Sequence, residues 1–407
     1  MIMKQWIFGI LLLLSSTPVF AIPQTDNDVN DFNALTPEDR QLLEKIIRLV
    51  DEGLNEAVAP DFDYLIKKYP DNYLVQYEQA YNFYSLGQYD KVIEAEKKLL
   101  GSESASELTY QLIGNSYDML GNRDEAIKIY QEGLKHFPQS GSLYLELGNI
   151  YNMSEDYDKA LQSYNSGILV QPDFSSNYFR AATLYLASES AKVWGLVYAE
   201  TAVLLAPSND ARHKEMSEDI IFCLKENIKL NVGDSTVVSV KLVPGRDMEI
   251  DGATQKVYLG FPGIYEGAFG RPLMKMLLEK QAFTCSLSQL IEIRKGMLEN
   301  YFDVTNNLYG NSMYLLEFQK KILDAGHWDA YNYFLFMESF PELFDEWYDA
   351  NSSAFDAFAE WYDNNPFTLG DGRSVNPMQI FDNYHPVDLM EAISIQAELL
   401  TDKPSKK

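Results

Sequence analysis

Four histidines, two cysteines and a large stock of carboxylates are the side chains of this 407-residue sequence with the most chemistry to offer. His136, His213, His327 and His385 lie far apart, so neither a zinc pair nor a Cys-His dyad can be read from their spacing. No Gly-x-Ser-x-Gly elbow occurs to present a nucleophilic serine. A Gly-rich run, Gly260 to Gly270, precedes a helix expected to open at Arg271, and its backbone N–H groups with Arg271 would suit an anion. No Lys-Ser or Lys-Thr follows one of its glycines, so it is read as a flexible connector. The stretch from Ile322 to Gly372 holds 11 Asp or Glu and no Lys or Arg, interleaved with aromatics. Phe344, Trp347 and Tyr348 keep helical spacing, as do Phe355, Phe358 and Tyr362, so it is read as an amphipathic helix pair with an aromatic core and an acidic, solvated side. An aromatic and acidic binding surface is its functional alternative. No catalytic residue, metal site or cofactor is expected, and the chain is not read as an enzyme. A hydrolase with its catalytic residues in the C-terminal half is the alternative.

The elements that would position such residues begin with composition. Thirty-three basic against 60 acidic residues give a net charge of -27, which repels phosphate backbones and disfavours nucleic acid as a partner. The N-terminal MIMKQWIFGILLLLSSTPVFA has Lys4, a short apolar run and small residues ending at Ala21, the pattern of a cleavable secretory signal over residues 1–21. The run is well short of the roughly 20 residues of a spanning helix. Export to the periplasm or cell surface of a bacterium is therefore expected, and no transmembrane span. Residues 22–35 read as a disordered leader, and Thr36-Pro37-Glu38 as the start of a helix.

From residue 39 to about 209 a 34-residue interval organises the chain. It separates Gly53, Gly87 and Gly121, and likewise Gly114 from Gly148, Pro138 from Pro172, Ala126 from Ala160 and Tyr130 from Tyr164. A period of this length denotes stacked supersecondary units that bury their apolar faces against one another. Helix pairs are expected over 39–72, 73–106, 107–140, 141–174 and 175–209. The last is one residue longer, the extra residue falling near Ser188 to Ala191. Ala80, Gly114, Gly148 and Ala182 sit mid-helix and admit a close partner helix.

Tyr110, Ile113-Gly114, Tyr117, Gly121, Ala126, Tyr130 and Pro138, then Tyr144, Leu147-Gly148, Tyr151, Tyr157, Ala160, Tyr164 and Pro172, resemble the tetratricopeptide repeat family, with Glu155 in place of the second turn glycine. The resemblance implies an all-α solenoid of about five helix pairs that binds a protein or peptide on the groove lined by the first helix of each pair. It places there Tyr77, Tyr81, Tyr84, Leu108, Gln111, Asn115, Met119, Leu145, Asn149, Met153, Phe179, Thr183 and Leu186. Asn115 and Asn149 follow the packing glycines, where family members hydrogen-bond the backbone of an extended peptide. Gln111 and Leu145 stand where a carboxylate clamp would need Lys or Arg, so the expected ligand is an uncharged or apolar segment.

A capping helix from Asn209 to Leu230 is expected to close a solenoid domain of 39–230, followed by a smaller, mainly helical α+β domain of 231–400 and a loose tail of 401–407. Its strands are Ser235 to Leu242 and a tight hairpin turning at Asp251-Gly252; its helices are 271–280, 286–301, 313–325, a pair over 341–349 and 353–364, and one from Pro386 to Leu400. Cys223 and Cys285 are read as two buried thiols rather than a disulfide.

Overall fold

A computed structural model describes residues 26–101, 105–206, 212–231, 237–243, 248–250, 256–259, 261–305, 313–371, 373–376 and 386–388. The signal segment, the Asp251-Gly252 turn, His385 and the tail lie outside them. The chain divides into two compact units between Gln171 and Pro172, ahead of the boundary expected at 230.

In the first unit the expected pairs are found as α2 (Pro37–Asp51) with α3 (Ala59–Lys68), α4 (Tyr73–Ser85) with α5 (Tyr89–Glu96), α6 (Glu107–Met119) with α7 (Arg123–His136), and α8 (Gly141–Met153) with α9 (Tyr157–Val170). Thr36 caps α2, its hydroxyl accepting from the Asp39 N–H at 3.3 Å, with Pro37 in the first turn. Gly53, Gly87 and Gly121 turn the chain at φ of +79, +70 and +79°, and Glu155 adopts the same left-handed conformation at φ +60°. The mid-helix glycines are where the paired helices touch. A Cβ at Gly114 would lie 2.2 Å from Cε1 of Tyr130, and one at Gly148 2.4 Å from Cε1 of Tyr164. One methyl would overpack either contact.

Residues 26–35 correct the disordered-leader expectation. Asp26–Ala34 form helix α1, Leu35 is buried, and Asp31 ties the segment to α4: its carbonyl accepts from Asn72 at 2.8 Å and its carboxylate from the Leu74 N–H at 3.3 Å. Phe32 packs on the core of the first pair. Two apolar anchors at the end of a polar segment suffice to dock it.

The second unit opens with the fifth pair, α10 (Ser175–Ala187) and α11 (Lys192–Leu205). Residues 188–191 join them, four where 120–122 and 154–156 make the preceding turns with three, which locates the expected extra residue. Every residue of α11 from Val193 to Leu204 is buried. α12 (Arg212–Asn227) packs on one side and α13 (Phe261–Ala268) on another. The Glu200 carboxylate accepts hydrogen bonds from Arg294 at 2.5 Å, Gln319 at 2.6 Å and the Tyr331 hydroxyl, and Arg294 also donates to Asn332. These partners stand on α15 (Leu287–Thr305), α16 (Tyr314–Asp324) and α17 (Trp328–Phe336). Burial alone would lower the Arg294 pKa, but Glu200, Tyr331 and Tyr265 together outweigh that and hold it up. The fifth pair is thus stitched to the helices that follow it.

Several sequence expectations are corrected here. The chain leaves α12 at Asn227 and continues as β1 (Ile228–Asn231), antiparallel to β2 (Val237–Val240) with Ile228 opposite Val240, because Ile228 and Leu230 are buried while Lys229 and Asn231 are exposed, a period of two. A second sheet has the order β3 (Met248–Ile250), β4 (Lys256–Leu259), β5 (Pro386–Asp388), so 386–388 is an edge strand and not the start of a helix. Pro386 is tolerated at an edge. The Gly-rich run is no connector: α13 and α14 (Gly270–Leu278) occupy it, since Phe261, Ile264, Tyr265 and Ala268 keep helical spacing and are all buried. The expected pair over 341–349 and 353–364, by contrast, is present: α18 (Pro341–Asn364) consists of two helical stretches that meet at a kink at Asn351, whose φ of -133° and ψ of 24° are not helical. Its aromatic side is core, with Phe344, Phe355 and Phe358 buried, while Asp345, Glu346, Asp349, Asp356 and Glu360 are exposed.

Candidate functional site

On the first unit the first helices α4, α6 and α8 lie side by side and present the residues expected in the groove. Met119 and Met153, one repeat apart, are 55% and 54% exposed, and Tyr81 is 39% exposed. Tyr77, Tyr84, Leu108, Gln111, Asn115, Leu145 and Asn149 are half-buried. Large polarisable side chains left open at repeating positions suit an extended ligand.

Between them runs a hydrogen-bonded chain. Tyr130, reaching through from α7, donates to the Asn115 side-chain oxygen, and Tyr164 from α9 donates to that of Asn149 at 3.0 Å. Both phenols sit behind a packing glycine, and burial first, then the carboxylates Glu146 and Asp118, pushes the Tyr130 pKa far up, so it stays a donor. With its oxygen taken, each asparagine keeps its amide N–H groups as donors. That of Asn149 donates to Glu146 at 3.2 Å; Gln111, on the neighbouring helix, donates to the same carboxylate at 2.8 Å. The Asn115 amide N–H finds no acceptor among the described residues. Burial, then Tyr89, Glu146 and Asp118, also raises the pKa of Tyr84.

Sequence reasoning did not find Glu146, Tyr130 or Tyr164 as parts of this face. The signal was present for the tyrosines, which stand 15 residues after each groove asparagine and recur at the 34-residue interval.

The last expected groove positions belong to the second unit and behave differently. Phe179 is only 6% exposed, its ring covered by the guanidinium groups of Arg180 at 5.4 Å and Arg212 at 5.7 Å, and so presents little surface. Leu186 packs inward, where a Cβ on Gly195 would come within 2.6 Å of it. Thr183 is exposed, although its hydroxyl donates back to the Phe179 carbonyl at 3.1 Å. Arg212 lies outside the repeats, which is why the repeat pattern alone did not foresee its cover.

Elsewhere, Cys223 and Cys285 are free buried thiols, pushed up to about 12 and about 11 by burial. The buried His213 ring meets the Leu335 carbonyl at 3.1 Å and His136 stacks on Tyr110. Among the described residues no group of three or more His, Cys, Asp or Glu could hold a metal ion, and no helix is long and apolar enough to cross a membrane.

Stacked helix pairs with glycine-tyrosine contacts and turns at 34-residue intervals define a repeat solenoid, a class of scaffold for protein interaction. Residues 119–184 match the family model of the tetratricopeptide repeat, and the array is made of such repeats. The chain is similar in structure to a thermophilic TPR protein of Thermus thermophilus, TTC0263, with 19% identity over 45% of this chain and 99% of that one and a TM-score of 0.39. It is similar also to MamA, with 19% identity over 39% of this chain and 92% of that one and a TM-score of 0.33. A search of curated proteins finds no match.

Proposed function

We propose that this protein is an exported scaffold that holds an extended segment of a partner protein on the face of α4, α6 and α8. The observation that carries the reading is the repeated Tyr-to-Asn hydrogen bond, which occupies the oxygens of Asn115 and Asn149 and leaves their amide groups as donors toward a peptide carbonyl, that of Asn149 shared with Glu146. Tyr81, Met119 and Met153 supply apolar contact on either side, so the segment is largely uncharged or apolar. Pre-set donors lower the ordering cost of binding. The net charge of -27 speaks against nucleic acid, and the signal pattern of residues 1–21 supports export to the periplasm or cell surface. No feature of the described residues favours a hydrolase over the scaffold.

Affinity capture from the organism's own envelope extract tests the reading, using the mature chain beside a variant with Asn115, Asn149 and Tyr81 changed to Ala. The wild type should recover at least one protein that the variant loses. Equal recovery of every partner by both would overturn the groove as the binding site.

A further inference from the structure

The second repeat breaks the rule that the next two obey. Thirty-four residues before Tyr130 stands Glu96, before Gly114 stands Ala80, and before Asn115 stands Tyr81. Where its successors place a phenol that donates to a groove asparagine, this repeat places a carboxyl. Glu96 has 0% exposure, and neither of its oxygens meets hydrogen-bond geometry with a described residue. An ionised carboxylate there is penalised, because no hydrogen bond from a described residue replaces its lost water. The helix also changes character at this residue: α5 ends at Glu96 after eight residues and Lys97–Leu99 continue as a 3-10 turn, whereas α7 and α9 run for 14 residues each.

The polar groups around the carboxyl come from every element packed on α5. Tyr77 faces it from α4, Lys98 from the 3-10 turn, and Thr109 from α6. The Thr109 hydroxyl lies on the same side and draws the Glu96 pKa down a little, but it is already engaged with the Tyr73 hydroxyl at 3.1 Å. Lys98 acts in the same direction. Burial outweighs both and pushes Glu96 up to about 7 from an ordinary 4.5.

We infer that Glu96 is a proton-operated latch, which lets α5 stay packed between α4 and α6 when neutral and loosens the second repeat when ionised. The direction follows from linkage. With the folded pKa above the unfolded one, the folded repeat holds the extra proton between about pH 4.5 and 7. Stability from this group is full at acid pH and is lost as pH rises through that window. Because α4 carries Tyr77, Tyr81 and Tyr84, the latch sets one edge of the face assigned to the partner. That last consequence rests on the proposed function, whereas the latch itself needs no ligand.

Hydrogen exchange of the full mature chain, followed by mass spectrometry at pH 5 to 8 and corrected for intrinsic exchange, tests it without any partner. In the wild type, peptides from Tyr89 to Leu99 should lose protection by roughly ten- to a hundredfold between pH 5 and pH 8. In Glu96→Gln, neutral at every pH, they should stay level, and peptides from α9 should stay level in both proteins. A flat wild-type profile, or an equal fall in Glu96→Gln, would overturn the latch. Either result leaves the capture experiment to decide the groove by itself.

Discussion

Helices α9 and α11 are the second members of consecutive pairs, yet they are held in opposite ways. α9 packs on its partner around one repeated contact, Tyr164 against Gly148, and leaves Tyr157 and Leu169 exposed. α11 is buried on all sides and centres on a charge, Glu200, whose partners Arg294, Gln319 and Tyr331 lie 94 to 131 residues away. The first arrangement is local and can be copied from one unit to the next. The second exists once and depends on distant elements arriving together. A repeat stops being a repeat when its outer face acquires an obligate neighbour.

Removing one member of the buried pair should have the largest effect. Arg294→Ala leaves the Glu200 carboxylate uncompensated and should destabilise the second unit by about 3–5 kcal/mol, read by urea unfolding with exchange-resolved peptides. Pairing Arg294→Met with Glu200→Gln should recover part of the loss; no recovery would show that packing, rather than charge, dominates there. Gly148→Leu comes next, at roughly 1–3 kcal/mol in the first unit, because the new side chain must displace Tyr164. An unchanged melting temperature would break the claim that glycine sets the pair's approach. Smallest is Tyr164→Phe, expected to cost about 0.5–1.5 kcal/mol by deleting the bond to Asn149. It should weaken partner capture more than it weakens the fold, and a purely structural loss would separate Asn149 from recognition.

The repeats were legible because their packing is local. Gly114 and Tyr130 are 16 residues apart, their spacing recurs, and the turn glycines mark each helix end. The second unit was less so, for three physical reasons. β5 joins β4 from about 130 residues further along, and no periodicity announces such a pairing. α13 hides apolar helical spacing beneath glycines that suggest a loop. At Ile228 the spacing serves a helix and a strand alike, and only burial decides. Within the candidate site, the asparagines and methionines could be placed from their register. Phe179 could not, since its cover comes from Arg212 on another element.

Glu146 carries one more consequence. It receives Gln111 from the neighbouring helix and Asn149 from its own, so the same carboxylate that borders the proposed binding face also braces α6 against α8. An occupant that takes hold of Glu146 must displace that brace and make the array more compliant at its middle. One that bridges α6 and α8 without touching Glu146 stiffens it instead. Under the proposed function, a single side chain thus decides whether the scaffold yields or hardens under its load.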